Sequence, residues 1–234
     1  MNALITGASK GIGFEVALAL AKSNPENMVL ISRSKDGLEK LREHIHKISP
    51  LTNVIVIASD LKLLIQNTEW LANLTFRHLD ILVNNAGTLV NSPFEETDLN
   101  TAKEIFEVNF HAPAQLVRLM LPLLKSSLRA HVVNIGSMGG FQGSSKYPGL
   151  SYYSASKAAL AALTECLAVE FADNSIKTNC LALGAVQTEM LTKAFPGFHA
   201  PLDSKKMGEF IAQFAQQGHE VYNGQVLPVR LSNP

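Results

Sequence analysis

The chain has 234 residues, 47% apolar and 17% charged, with 20 basic and 20 acidic side chains and a formal net charge of zero. That length can bury a sizeable core without disulfides or metals. A neutral balance with no basic block argues against nucleic acid and against an anionic membrane surface as partners.

In chain order, the first β-rich run is ALI at 3–5, and it leads into TGASKGIG, with Gly7, Gly11 and Gly13 ahead of a helical stretch. Glycines let a backbone turn tightly and approach a ligand, and a helix N-terminus offers free N–H groups to a pyrophosphate. The second run, MVLIS at 28–32, ends in Ser32, Arg33 and Ser34 with no acid at its tip. An acid there favours NAD, and an arginine favours the 2′-phosphate of NADP. Asp36 is expected in the first turn of the next helix, while Lys10 adds a second cation from the glycine loop. Guanidinium and ammonium together match a phosphate, so NADP(H) is expected over NAD(H). The next helix is predicted over 35–48, where Leu38, Leu41, Ile45 and Ile48 recur at steps of three and four.

The remaining runs are NVIVIA at 53–58, DILVN at 80–84, HVVNI at 131–135, IKTNCLA at 176–182 and GQVLPV at 224–229. Most are continuously apolar, as in strands buried on both faces of a parallel sheet. Helices are predicted over about 99–126 and 151–173. This alternation predicts one domain, 1–234, built as a doubly wound α/β sheet of about seven strands. Residues 188–218 break the pattern with AFPGFHAPL, including Pro196, Gly197 and Pro201, and are expected to form a lid over a site.

SYYSASK, at 151–157, sets Tyr153 one helical turn from Lys157, whereas Tyr152 has only Ser156. A free tyrosine titrates near ~10. A neighbouring ammonium favours the tyrosinate, so Lys157 is expected to lower the Tyr153 pKa and suit it to general acid catalysis. Tyr152 is expected to point into packing or toward the substrate loop. Asn109 lies four residues before Pro113, which has no N–H to bond the carbonyl of residue 109. That acceptor is expected to stay open, with water as its partner.

These motifs resemble the short-chain dehydrogenase/reductase family along almost the whole chain. TGASKGIG is similar to T-G-x-x-x-G-x-G, NNAG at 84–87 to N-N-A-G, and YSASK at 153–157 to Y-x-x-x-K. Asn109 in EVNF and Ser137 in NIGS stand where the family carries its other active-site residues. The resemblance implies a Rossmann-type sheet and NAD(P)-dependent carbonyl reduction or alcohol oxidation. It implies a catalytic set of Asn109, Ser137, Tyr153 and Lys157, with Asn109 ordering a water that feeds a proton relay and Lys157 also holding the nicotinamide ribose. Ser137, just past its strand, is at the carboxyl edge where open sheets bind ligands, and it would steady charge on the carbonyl oxygen. Cofactor contact is implied for Thr6, Gly7, Ser9, Lys10, Gly11, Ile12 and Gly13, and for Ser32 and Arg33. It is implied also for Asp60 and Leu61, for Asn85, Ala86 and Gly87 in the sheet-stabilising turn, for Tyr153 and Lys157, and for Gly184, Val186 and Thr188.

Three places depart from the family pattern. Leu183-Gly184 replaces its Pro-Gly pair. Fifteen residues, 138–152, separate Ser137 from Tyr153, more than usual, with the extra length in SSKYPGLS. The sequence ends VLPVRLSNP, without the glycine-rich tail of many acyl-carrier-protein reductases. The expected substrate wall is apolar: Met138, Phe141, Tyr147, Met190 and Phe195, joined by Leu89, Val90, Leu150, Leu191 and Phe198. It suits a small apolar or aromatic ketone better than a sugar.

The leading expectation is an NADPH-dependent carbonyl reductase. A 3-oxoacyl-acyl-carrier-protein reductase is the enzyme alternative, with Lys146, Lys193, Lys205 and Lys206 as a thin basic patch for the carrier. A non-catalytic NADP(H)-sensing module is the alternative outside enzymes. The family resemblance implies a homodimer or homotetramer. Cys166 and Cys180 match no metal or disulfide pattern and are expected in the core of a cytoplasmic protein. The seven histidines form no metal pattern and are expected at the surface or in packing. The N-terminal stretch lacks a secretory signal pattern, and no apolar run approaches the ~20 residues of a membrane span.

Overall fold

The computed structural model describes residues 1–231. Seven strands form one sheet: β1 Asn2–Thr6, β2 Asn27–Ser32, β3 Asn53–Ala58, β4 Ile81–Asn84, β5 Ala130–Ser137, β6 Ile176–Leu183 and β7 Val226–Val229. Their order is β3-β2-β1-β4-β5-β6-β7, and every adjacent pair runs parallel. All seven expected runs therefore form strands. Within them, neighbouring apolar residues serve opposite faces. Ala3, Ile5, Met28, Leu30, Ile81 and Val83 join one core cluster, while Leu4, Val29, Ile31 and Leu82 join the other. Helices on both faces are why these strands read as unbroken apolar runs.

One face is covered by α1 Gly11–Ala21, α2 Lys35–Ile48 and, later in the chain, Ser204–Gln217. Leu38, Leu41 and Ile45 of α2 are buried, but Ile48 at its end is 40% exposed, so the stripe stops one residue short of expectation. Asp36 lies in the first turn of α2, and Ser34 caps it by accepting from the Gly37 N–H at 3.2 Å. After β3 comes α3, Leu61–Leu64.

The helix expected over 99–126 is broken into α4 Leu99–Phe106, a π-helical turn Glu107–His111 and α5 Ala112–Lys125. The widened turn is marked by the Ala112 N–H, which reaches back five residues to the carbonyl of Glu107. Pro113 stands directly after it, at the start of α5. Such turns occur often at functional sites. α6, Ser151–Glu170, covers β5 and β6. A buried chain fixes its height on the sheet: Asn84 Nδ2 donates to Asn134 Oδ1 at 2.8 Å, and Asn134 Nδ2 to Thr164 Oγ1 at 2.9 Å.

The excursion expected over 188–218 divides. Residues 188–203 hold only the short helix α7, Glu189–Ala194. Residues 204–217 are α8, with Met207, Ile211, Ala212 and Ala215 buried against α1 and the sheet. Cys180 is buried on β6, but Cys166 faces solvent from α6, because its turn of that helix points away from the sheet. No helix of the described residues is long and apolar enough to cross a membrane. Residues 232–234, the end of the VLPVRLSNP tail, lie outside the described residues.

Candidate active site

Strand order reverses between β1 and β4, and a cavity of about 500 Å³ opens at their carboxyl ends, the expected place for a ligand in such sheets. Asn85 ties these ends together. Its Nδ2 donates to the carbonyls of Thr6 (3.0 Å) and Gly7 (3.3 Å), while the Asn85 and Ala86 N–H groups both donate to Thr6 Oγ1 at 3.0 Å.

The loop between β1 and α1 forms one wall. Gly7 and Gly11 have φ of +68° and +60°, a region that favours glycine. A side chain at Gly13 would come within 2.4 Å of Asn85 Nδ2 and 2.5 Å of the Gly7 carbonyl, so this glycine serves close packing behind the wall rather than the cavity. The α1 N-terminus has no side-chain cap, which leaves its first-turn N–H groups available to an anion at the cavity. The Ser9 and Ser32 hydroxyls bond at 2.8 Å, joining the loop to the end of β2. Beyond them stand Arg33, Asp60 and Leu61. Arg33 is exposed and forms no ion pair among the described residues. Lys10 is not free: its ammonium is paired with the carboxylate of Glu189, which the hydrogen bond from Lys10 holds below its usual pKa. An uncapped helix start and an arginine without an ion pair among the described residues line one cavity, a lining that fits the phosphates of a dinucleotide.

At the other end of the cavity, Ser137, Tyr153 and Lys157 line the wall together. Ser137 ends β5, and its Oγ accepts from the Gly139 N–H at 3.1 Å. Lys157, buried on α6, donates from Nζ to the carbonyl of Ile135 at 2.8 Å. Burial lowers the Lys157 pKa from 10.5 to about 8. Burial also raises the Tyr153 pKa, partly offset by a hydrogen bond with Ser137. The expected lowering of Tyr153 by Lys157 is therefore not seen: desolvation of the phenol dominates, Ser137 is the group that opposes it, and the Lys157 ammonium is engaged with β5. Tyr152 stacks on Phe94 with ring centroids 5.5 Å apart, in packing as expected.

Asn109 is fully buried and does not line the cavity. It acts at one remove. Its Oδ1 accepts from the Thr88 N–H at 2.8 Å, and its Nδ2 donates to the Thr88 carbonyl at 2.9 Å and to Ser156 Oγ at 3.0 Å. Ser156 in turn donates to the carbonyl of Tyr153 at 2.7 Å. Ser156 and Thr88 were absent from the sequence-based set. The only available signal was that Ser156 follows Tyr153 by three residues on one helix.

The remaining expected cofactor positions, Ile12, Gly87, Gly184, Val186 and Thr188 among them, line the cavity. Met138, Tyr147, Met190 and Phe195 line its apolar end, with Leu89, Leu150 and Leu191. Phe141, Val90 and Phe198 do not line it; the Phe141 carbonyl instead accepts from Lys146 Nζ at 2.7 Å. The Tyr147 and Phe195 rings meet edge to face, 5.9 Å apart, and Asn91 Nδ2 donates to the carbonyl of Ala194 at 2.7 Å. These contacts hold α7 over the cavity's apolar end.

The profile of short chain dehydrogenases matches residues 1–197. An uncharacterized oxidoreductase of Staphylococcus saprophyticus is 29% identical over 229 residues, covering 96% of this chain and 94% of its own length. The crystal structure of a 3-ketoacyl-(acyl-carrier-protein) reductase from Brucella melitensis, complexed with NADH, superposes with a TM-score of 0.84 at 26% identity and covers 97% of this chain and 96% of that one. L-sorbose reductase from Gluconobacter frateurii, complexed with NADPH and L-sorbose, shares the fold with a TM-score of 0.86 at 24% identity, covering 98% and 94%. With its parallel sheet, its glycine loop and a profile match across most of its length, the chain belongs to the short-chain dehydrogenase family of oxidoreductases.

Proposed function

We propose that the protein is an NADPH-dependent carbonyl reductase acting on small apolar or aromatic ketones. One observation carries this: Ser137, Tyr153 and Lys157 share a single cavity with the uncapped start of α1 and the unpaired Arg33. The α1 N–H groups would hold the pyrophosphate, Arg33 the 2′-phosphate and Lys157 the nicotinamide ribose. When bound, the dinucleotide supplies the hydride that reduces the carbonyl carbon. Tyr153 gives its proton to the substrate oxygen as general acid, and its raised pKa keeps it protonated at neutral pH, the form that can donate. The Ser137 hydroxyl donates to the same oxygen and steadies the charge that builds there. Asn109, through Thr88 and Ser156, keeps the two sides of the site in register.

The substrate class rests on charge as well as shape. Lys10, Arg33, Asp60, Glu104 and Glu189 lie toward the dinucleotide half, whereas the walls beyond Ser137 are Leu89, Met138, Leu150, Met190 and Phe195. Residues 188–203 act as a lid. The carrier-protein alternative loses support because Lys146 is committed to the Phe141 carbonyl and Ser144. In this proposal the enzyme works in the cytoplasm as a homodimer or homotetramer.

The test is NADPH oxidation, with NADH in parallel, across aromatic ketones, diketones, sugars and a 3-oxoacyl thioester, using wild type and Tyr153→Phe. Turnover of apolar ketones that the variant loses is expected. Preference for the thioester would move the function to the carrier-protein reductase. Tight NADPH binding with no turnover would move it to a sensor.

A further inference from the structure

The groove that would take the dinucleotide is crossed by one ion pair. Lys10 belongs to the glycine loop and Glu189 to the first turn of α7, 179 residues later. Both line the cavity, and their side chains are 67% and 66% exposed. Thr188, whose Oγ1 caps α7 by accepting from the Leu191 N–H at 3.2 Å, brings that turn against the loop: a side chain at Gly11 would meet Thr188 Cγ2 at 3.8 Å. The Glu189 carboxylate therefore occupies the one cation of the glycine loop; Ser9, next to that cation, is bonded to Ser32, next to Arg33, which has no ion pair among the described residues.

Resting on the NADPH assignment, we infer that Glu189 determines how strongly the enzyme discriminates NADPH from NADH, by holding Lys10 so that a 2′-phosphate must displace its carboxylate to use both cations. The pyrophosphate is common to both cofactors, so its contacts cancel in the affinity ratio. Only NADPH carries the additional dianion that competes with Glu189 for Lys10. The pair is solvated and screened by salt, so the restraint is modest and weakens as ionic strength rises.

The experiment is a set of dissociation constants for NADPH and NADH at low salt, in wild type, Glu189→Gln, Lys10→Met, the double variant and Arg33→Ala. Glu189→Gln should raise the preference for NADPH by about two- to five-fold, the range of one exposed ion pair. In the Lys10→Met background the same substitution should change nothing. An unchanged ratio in Glu189→Gln overturns the inference. So does an equal rise with Lys10 absent, since the carboxylate would then act on the cofactor directly. If Arg33→Ala abolishes the preference while Glu189→Gln leaves it alone, the inference fails and the NADPH assignment survives. If wild type shows no preference and Arg33→Ala changes nothing, both fail.

Discussion

The ammonium of Lys157 lies 2.8 Å from the carbonyl oxygen of Ile135, on a side chain only 5% exposed, and one hydrogen bond to a neutral acceptor does not replace the water it has lost. Its pKa falls from 10.5 to about 8 for that reason. Below about pH 8 both folded and unfolded chains hold this proton, and the fold carries the cost of a buried cation. Between about 8 and 10.5 the unfolded chain keeps the proton and the folded chain releases it, so stability rises with pH. Buried Cys180 acts in the opposite sense. Burial raises its thiol from 9.0 to about 12, so its contribution is lost as pH climbs through that window. Between pH 8 and 9 the lysine acts alone. Denaturation without added cofactor should show wild type gaining on Lys157→Met from pH 8 upward, by roughly 3 kcal/mol at the end of the lysine's window. A constant difference between the two proteins would mean the ammonium is as well solvated in the fold as outside it.

A second buried base sits at the start of β5, an interior strand, at the end opposite Ser137. His131, fully buried on β5, donates from Nδ1 to the Ala215 carbonyl at 3.0 Å and accepts at Nε2 from Asn179 Nδ2 at 3.0 Å. The bond from Asn179 needs the neutral ring, since a protonated Nε2 cannot accept, whereas the bond to Ala215 is open to either form. Burial lowers its pKa from 6.5 to about 4, with nearby His219 adding to the effect. The stability this provides is complete above pH 6.5 and is lost as pH falls toward 4, because the unfolded chain takes up the proton first. Wild type should lose roughly 3 kcal/mol across that range. The acid slope should flatten in His131→Gln, whatever its stability at pH 7. An equally steep slope in the variant would assign acid sensitivity to other groups.

The sheet was legible because helices on both faces leave its strands no polar side, so NVIVIA and its fellows stand out as unbroken apolar runs. The Tyr153–Lys157 pair was legible because both residues lie on one helix, where spacing fixes geometry. The Lys10–Glu189 pair was not, since nothing local joins residues brought together by the whole fold. The Tyr153 pKa went the other way because spacing reports a neighbouring charge but not the desolvation that opposes it. The π-helical turn left only Pro113 as a trace. In α8, Met207, Ile211, Ala212 and Ala215 carry a helical stripe, but Pro196, Gly197 and Pro201 just before it made the whole region read as an excursion.

Ser156 is the joint between Asn109 and the start of α6, accepting from one at 3.0 Å and donating to the Tyr153 carbonyl at 2.7 Å. Ser156→Ala should cost about 1–2 kcal/mol of stability, because a buried Asn109 donor loses one of its two acceptors. It should also lower kcat more than it raises KM. Asn109→Ala and Ser156→Ala should then be non-additive in kcat when combined, since each breaks the same connection. Strict additivity would separate the two residues and leave Ser156 as packing alone.

A tight backbone approach beside Ser137 is made by Gly140, in the short turn Met138–Gly140 that follows it. A Cβ there would lie 2.6 Å from the Ala158 nitrogen, 2.6 Å from the Lys157 carbonyl carbon and 2.8 Å from Lys157 Cβ. Those neighbours are mostly backbone of α6, so relief requires the turn and the helix to separate. That separation would move Ser137 on one side and Lys157 on the other. Gly140→Ala should destabilise the protein by about 1–3 kcal/mol, the usual range for overpacking, and lower kcat at least ten-fold through misplacement of the Ser137 hydroxyl. Gly143→Ala is the matched control. Gly143 has a φ of +77° but nothing within 4 Å of an added Cβ, so it carries backbone strain of about 1 kcal/mol without a push on α6. Its kcat should stay near wild type. Equal activity losses in the two variants would show that loop strain, rather than the contact between the turn and α6, sets the position of Ser137.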